Sequence, residues 1–227
     1  MTISPVPVTP GRLRSTPTVL TGNPVRGRFN SLFFSLMGGQ LDRYMRKQKA
    51  VEFAGLPPTV VELGSGVGAN LRYLPAGAHL IAIEPNPYMH KRLRRAARRR
   101  GVELEIRSVV GERMDLPDAS AVAVISSLVL CTVDDPAAVL AEVRRVLVPG
   151  GRFSFAEHVV ARPRTPTRWS QRVLRRPWGW LFEGCSCERD LATLIASAGF
   201  AGVDITPYRI HSPLLPFNTH IAGTATA

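Results

Sequence analysis

The sequence predicts an α/β fold in which helices cover both faces of a doubly wound, mostly parallel sheet. Short β-rich segments alternate with helix-like stretches along most of the chain. A glycine-rich turn follows the first of these segments. The 227 residues suit one domain with a sizeable core better than two. Sheets of this kind join their parallel strands through right-handed crossovers and bind ligands at the carboxyl ends of the strands.

The amino-terminal region precedes the predicted sheet. Residues 1–25 are rich in proline and lack lasting periodicity, which predicts a flexible tail followed by a single domain over 26–227. Apolar residues then recur at helical spacings, with an interruption at Gly38 and Gly39. This pattern predicts two cap helices within residues 26–56.

The body of the chain contains seven predicted strands. Helices are expected over residues 69–74, 86–100, 136–147 and 188–198. The last two strands follow the last helix, so they are suited to close the sheet as an antiparallel pair. The predicted strands are 59–63, 79–84, 103–109, 122–127, 152–157, 203–210 and 219–224.

Composition favours a globular protein, with 45% hydrophobic and 20% charged residues. The net charge of +12 is concentrated in residues 91–100 and 162–176. Such clusters are typical of surfaces that bind nucleic acid or an anionic membrane, but a solvent-exposed helix face is the simpler interpretation. No run of 18 apolar residues occurs, and the first 28 residues lack the apolar segment of a secretory signal. We therefore expect a cytoplasmic protein without a transmembrane segment.

The chain has three cysteines, Cys131, Cys185 and Cys187. An odd number argues against a disulfide framework. The C-x-C spacing of the last two lacks the second ligand pair of a typical zinc site. The sequence thus predicts reduced thiols and no metal.

The motif with most chemical content is Val60-Val61-Glu62-Leu63-Gly64-Ser65-Gly66-Val67-Gly68-Ala69-Asn70. Its glycines allow backbone amides to approach a ligand, and the next helix begins beside them. By itself the turn fits a dinucleotide as well as S-adenosylmethionine. Glu84 ends the second strand, where an acid can accept hydrogen bonds from both ribose hydroxyls of either cofactor.

Further motifs stand at the expected places. Glu62 precedes the first glycine, Gly111-Glu112 follows the third strand, and Leu147-Val148-Pro149-Gly150-Gly151 precedes the fifth. Together these motifs resemble the class I S-adenosylmethionine-dependent methyltransferases of the methyltransferase type 11 group, over residues 29–224. The resemblance implies a Rossmann-like seven-stranded sheet, S-adenosylmethionine as cofactor and S-adenosylhomocysteine as product.

The resemblance also implies roles for single residues. Glu62 would lie near the methionine amino group, and Glu84 would bind the ribose. Glu112 would accept a hydrogen bond from the adenine amino group, while Met114 would flank the adenine ring. The other residues expected to contact the cofactor are Gly64, Ser65, Gly66, Gly68, Asn70, Pro85, Asn86, Gly111, Ser127 and Leu128.

Five local matches resemble the thiol S-methyltransferases of the methyltransferase-like group. This closer resemblance implies transfer to the sulfur of a small apolar thiol, either a xenobiotic or a reduced dithiol natural product, in detoxification or self-protection. The matches are Leu128-Val129-Leu130-Cys131, Glu157-His158-Val159, Trp178, Glu183-Gly184-Cys185 with Arg189-Asp190, and His220-Ile221-Ala222-Gly223.

The sulfonium methyl is already activated, so the protein mainly has to align a nucleophile and exclude water. The thiolate is the reactive form of a thiol. His158, with His220 as second candidate, is predicted to act as base or thiolate partner, although each could be structural. Residues expected to contact the substrate are Asn30, Tyr44, Leu130, Trp178 and Phe182.

A substrate lid is predicted over residues 158–187. In its basic part, 162–182, the aromatic residues Trp169, Trp178, Trp180 and Phe182 would cover an apolar pocket. The alternative for this segment is weak contact with a membrane surface.

Three alternatives stay open. Residues 111–117 and 140–151 also resemble ubiquinone and menaquinone methyltransferases, which suggests carbon or oxygen of a quinone or phenol as acceptor. The arginine clusters suggest a second alternative, a nucleic-acid-binding protein or RNA methyltransferase. We disfavour it because Ser126-Ser127-Leu128-Val129 is not a base-flipping motif. A catalytically inactive cofactor sensor is the third. The sequence does not predict an oligomeric state.

Overall fold

A computed structural model describes residues 24–227, so the predicted tail over residues 1–25 lies almost wholly outside the described residues. One seven-stranded sheet organises this part of the chain, with strand order β3-β2-β1-β4-β5-β7-β6. Strand β7 is antiparallel to both of its neighbours, and the other pairs are parallel. The strands are β1 (Thr59–Leu63), β2 (His79–Ile83), β3 (Glu103–Arg107), β4 (Ala121–Ser127), β5 (Leu147–His158), β6 (Gly202–Arg209) and β7 (Thr219–Thr226).

The helices begin at local sequence signals. Asn86, Asp135, Thr165 and Asp190 cap four of them by accepting backbone N–H groups of the first turn. None of the helices over residues 24–227 is both long enough and apolar enough to cross a membrane. The helices are α1 (Pro24–Glu52), α2 (Pro87–Arg100), α3 (Pro136–Val146), α4 (Pro166–Leu181) and α5 (Leu191–Ser197).

The prediction of two amino-terminal helices is wrong, because α1 continues through Gly38 and Gly39. A glycine costs a helix about 1 kcal/mol relative to alanine. Leu41 and Met45, just beyond the glycines, are buried in the main core. The burial of these side chains outweighs the local preference, so the helix stays continuous.

Two other elements differ from the predictions. The segment Ala69–Tyr73 is a 3₁₀ helix instead of an α-helix. Strand β5 begins at Leu147, five residues earlier than the predicted 152. Leu147 pairs with Ala121 beside a bulge in β4, an irregular pairing that no period-two pattern reveals.

Hydrophobic side chains cover both faces of the sheet. Along β1, Val61 and Leu63 belong to the main core, whereas Val60 belongs to a second cluster on the other face. Strand β1 lies between β2 and β4, where the strand order reverses. A doubly wound sheet leaves a crevice at the carboxyl ends of its strands at this point.

Candidate active site

A cleft opens at the carboxyl ends of β1, β2 and β4, and α1 lies along one side of it. Most of the residues predicted to contact the cofactor are brought together in its wall. The predicted residues in the wall are Gly64, Ser65, Gly66, Asn70, Glu84, Pro85, Gly111, Glu112, Ser127 and Leu128.

The glycine loop after β1 has two distinct requirements. Gly64 and Gly66 both have φ of +55°, a left-handed conformation that favours glycine. A Cβ on Gly64 would lie 2.5 Å from Cγ2 of Val129, so packing also excludes a side chain there. A Cβ on Gly66 would meet no atom of residues 24–227 closer than 3.9 Å, so a glycine here leaves space in the cleft.

Glu84 connects this loop to the end of β2. Its carboxylate accepts hydrogen bonds from the backbone N–H of Gly66 (2.7 Å) and of Asn86 (2.8 Å). Burial, reinforced by the nearby Glu183 carboxylate, raises the pKa of Glu84 to about 8. Glu183 is half-buried at the cleft and accepts a hydrogen bond from the Asn86 amide at 3.0 Å.

A chain of buried polar groups runs from β1 to α1. The Asn70 amide donates to Glu62 at 2.7 Å, and the Lys49 ammonium donates to the Asn70 carbonyl oxygen at 2.9 Å. Lys49 also donates to Asp42 at 3.1 Å. Burial lowers the pKa of Lys49, an effect that Asp42 partly offsets, and burial raises the pKa of Glu62.

The sequence analysis gave no role in the cleft to several polar residues of its wall, among them Asp42 and Lys49, and it named Glu183 and Arg189 only as part of a family resemblance. The seven-residue spacing of Asp42 and Lys49 on α1 was the available signal. Residues seven apart share one helix face, and Leu41 and Met45 mark that side as buried. A buried acid and base on one face indicate a partnered polar site rather than a solvated surface.

Several predicted cofactor residues stand behind the wall instead of in it. Glu62 is not in the wall and accepts a hydrogen bond from the wall residue Asn70. Met114 is fully buried in the main core, so its predicted contact with adenine is not visible in the geometry. Gly68 and Asn86 shape the loop and the start of α2.

The predicted substrate contacts are not part of the cleft wall either. Asn30 is buried near the Glu183 carboxylate. Tyr44 is 37% exposed on the outside of α1. The other three, Leu130, Trp178 and Phe182, are buried in the main core.

The lid segment is largely the amphipathic helix α4. Trp178 stacks on Phe182 with ring centroids 4.2 Å apart, and both side chains are buried. Trp169 and Trp180 are 68% and 58% exposed and neither lines the cleft, so their predicted place over an apolar pocket stays a prediction. They lie on the solvent side of the helix, because only one face of α4 can pack against the body of the protein.

The two candidate catalytic histidines are partners in the β5–β7 pairing, His158 opposite His220. Both are fully buried and neither belongs to the cleft wall. His158 Nε2 lies 2.7 Å from the Pro216 carbonyl oxygen. Burial holds the pKa of His220 well below its usual value. The structure thus brings the histidines to each other and not to the cleft, and their role as base stays a prediction.

The wall residues fit S-adenosylmethionine. Glu84 supplies an acid at the end of β2, and Gly66 leaves backbone exposed to a ligand. Across the cleft, the Ser127 hydroxyl is buried without a hydrogen-bond partner among residues 24–227. Next to it, Leu128 adopts a positive φ of 61°, a costly conformation that often marks functional sites.

Comparisons with known proteins agree with this geometry. A model of the methyltransferase domain matches residues 61–155. Thiol S-methyltransferase TMT1B of Rattus norvegicus is 38% identical over 171 residues, which are 74% of this chain and 70% of the relative. Thiol S-methyltransferase TMT1A of Homo sapiens is 38% identical over 169 residues, 72% of this chain and 68% of the relative.

Solved structures show the same fold. A methyltransferase of Thermotoga maritima, described as a possible histamine N-methyltransferase, aligns with a TM-score of 0.64 at 18% identity, covering 89% of this chain and 98% of its own. The fold and cleft therefore define an S-adenosylmethionine-dependent methyltransferase. Within that class, the chain belongs to the family of the rat and human thiol S-methyltransferases.

Proposed function

We propose that this enzyme transfers the methyl group of S-adenosylmethionine to the sulfur of a small apolar thiol. The observation that carries the proposal is a buried cation, Lys49, in a cleft wall that also contains Phe34, Leu41 and Val129. The names of the relatives support the same acceptor. Capping reactive thiols would serve detoxification or self-protection.

The Lys49 ammonium has one N–H donor that would be available to the methyl acceptor. An ammonium has three N–H donors, and Asp42 and Asn70 take two of them. Among the described residues Lys49 has no third hydrogen-bond acceptor, and it lies in the wall, so its third donor would be available to a group in the cleft. A positive charge close to a thiol lowers the pKa of that thiol and raises its thiolate fraction.

The remaining chemistry demands little of the protein. The bound cofactor supplies an electrophilic methyl group. Phe34 and Leu41 would hold the apolar body of the acceptor and exclude water. Lys49 would orient the thiolate, which attacks without a covalent enzyme intermediate.

The acceptor atom is tested with a panel of methyl acceptors and labelled S-adenosylmethionine, followed by mass analysis of the products. An alkyl thiol, an aryl thiol, a reduced dithiol, a catechol and a quinol cover the alternatives. We expect transfer to sulfur only. Methylation of the catechol or quinol would favour the quinone and phenol alternative, and methylation of added RNA would favour the nucleic-acid alternative.

The role of Lys49 is tested with Lys49→Met, for which Lys47→Met, exposed on the same helix, is the matched control. We expect Lys49→Met to lower the rate of methyl transfer to the thiol about tenfold near neutral pH, because a smaller fraction of the acceptor thiol is ionised. Raising the pH should recover the rate. Unchanged transfer, or loss of cofactor affinity alone, would remove Lys49 from acceptor activation.

A further inference from the structure

Outside the cleft wall, three potential metal ligands meet in the interior. Cys131 follows β4, His158 ends β5, and Cys185 follows α4. Their ligand atoms all lie within 4.8 Å of one another, and all three residues are buried. We call this group the Cys–His cluster.

The imidazole of the cluster is already oriented as a ligand. His158 Nε2 lies 2.7 Å from the Pro216 carbonyl oxygen, so this nitrogen carries the proton and donates it. The other nitrogen, Nδ1, faces Cys185 Sγ at 3.4 Å. A hydrogen bond from the second ring nitrogen to a carbonyl is the usual support of a metal-binding histidine.

The two sulfur atoms have the surroundings of a closed site. Cys185 Sγ lies 3.4 Å from Cys131 Sγ and accepts a hydrogen bond from Trp178 Nε1 at 3.4 Å. The rings of Trp178 and Phe217 flank His158, with centroids 6.0 Å and 5.5 Å from it. An apolar shell of this kind limits the access of water to a metal.

We propose that Cys131, His158 and Cys185 form a three-coordinate binding site for Cu(I). Two thiolates and an imidazole are soft donors, which select Cu(I) or Zn(II) over harder ions. Zn(II) takes four ligands in structural sites, whereas the part of the chain that the structure describes offers three buried ligands here. On binding, two S–Cu bonds and one N–Cu bond form, the two S–H bonds break, and the protons pass to solvent without a change of oxidation state.

The cluster needs only a small adjustment to close around the ion. Metal–sulfur bonds of about 2.3 Å place the sulfurs of a trigonal site about 4.0 Å apart. The present separation is 3.4 Å, the spacing of hydrogen-bonded thiols. The loops already lie together, because Ser186 N–H donates to the Cys131 carbonyl oxygen at 2.7 Å.

The site would also connect two walls of the cleft. Leu128 and Val129 stand before Cys131, and Glu183 and Gly184 stand before Cys185; all four line the cleft. The metal would hold these loops at a fixed distance. This role does not depend on which acceptor the enzyme methylates.

The sequence analysis predicted no metal because the ligands are far apart in the chain. Cys185 is 27 residues from His158 and 54 residues from Cys131. The C-x-C pair that the sequence displays is not the site. Cys187 points elsewhere and donates to the Gln171 carbonyl oxygen at 3.4 Å.

The proposal is tested on the full chain without oxygen, by titration with Cu(I) against a chromophoric Cu(I) chelator. We expect one equivalent to bind, with an X-ray absorption spectrum showing two sulfurs at about 2.3 Å and one nitrogen at about 2.0 Å. Cys185→Ser should weaken binding by more than about 100-fold, beyond the loss of a supporting contact. In His158→Ala the nitrogen ligand should disappear.

Cys187→Ser is the matched control, because it removes a buried cysteine two positions from a ligand, and it should bind Cu(I) like the wild type. Cys131→Ser gives a second ligand variant, and thermal unfolding of the metal-free proteins verifies that each variant folds. Binding that survives both ligand variants would overturn the proposal. So would tighter binding of Zn(II) than of Cu(I), or a Cys131–Cys185 disulfide forming in place of a metal complex.

Discussion

The two sides of the cleft are built in different ways. The cofactor side is formed by short segments directly after strands, such as the Gly64–Gly68 loop after β1 and Glu84 after β2. The opposite side is assembled from α1, the loop after β4 and the segment after α4. Strand ends converge because of the sheet itself, whereas the second side exists only through packing between remote segments. The cofactor side was accordingly visible in the sequence, and most of the opposite side was not.

The strongest test of the cofactor side is Gly64→Ala. An alanine at this position would have to keep a positive φ, and its Cβ would clash with the Val129 side chain. We expect transfer to fall at least about 100-fold, because displacement of the loop misplaces the cofactor. Gly77→Ala is the matched control, since Gly77 has φ of +68° but no atom of the described residues lies within 4 Å of the added Cβ.

Gly77→Ala should lose about 1 kcal/mol of stability through the left-handed backbone, and Gly64→Ala should lose more because its Cβ also clashes with Val129. Only Gly64→Ala should lose cofactor affinity, measured by calorimetry. Cofactor binding by Gly64→Ala at the wild-type level would show that the loop does not hold the ligand closely.

Glu84→Gln should have the next largest effect. Above about pH 8, where the Glu84 carboxylate is ionised, hydrogen bonds to this charged group contribute about 1.5–3 kcal/mol, so we expect the dissociation constant of the cofactor to rise about 10- to 100-fold. Glu103→Gln, exposed at the start of β3, serves as control and should leave the dissociation constant unchanged.

The same variant gives a pH test. The pKa of Glu84 in the folded protein is raised to about 8, whereas the unfolded value is ordinary. Its contribution to stability is therefore fully present below about pH 4.5 and is lost as the pH rises through about 8. In thermal unfolding of the cofactor-free protein, Glu84→Gln should gain stability over wild type as the pH rises. An equal difference at all pH values would contradict the raised pKa.

The smallest effect is expected on the β5–β7 side. His220 is buried, and neither of its ring nitrogens has a hydrogen-bond partner among the described residues. Its ring stacks on that of Tyr208 with centroids 5.3 Å apart, so the aromatic side chain of His220→Phe should fit in the same place. We expect the rate of methyl transfer to stay within about twofold of wild type. A loss of about 100-fold, with the pH dependence of transfer abolished, would instead establish His220 as the base.

The sequence predicted the sheet and the cofactor loop because both depend on local signals. Alternating strands and helices fix a right-handed, doubly wound topology. A glycine turn that directly follows the first strand must lie at the carboxyl end of that strand, where ligands bind. The structure has all seven predicted strands. Five local motifs were also enough to suggest the thiol S-methyltransferase family to which the chain belongs.

Packing between distant segments decided the rest. Burial of Leu41 and Met45 kept α1 continuous across its glycines, and that continuity placed Asp42 and Lys49 on one buried face. The Cys–His cluster likewise joins three segments that no local pattern relates. The physical reason is that local propensities differ by about 1 kcal/mol or less per residue, while burying one large apolar side chain contributes about 1.5–3 kcal/mol.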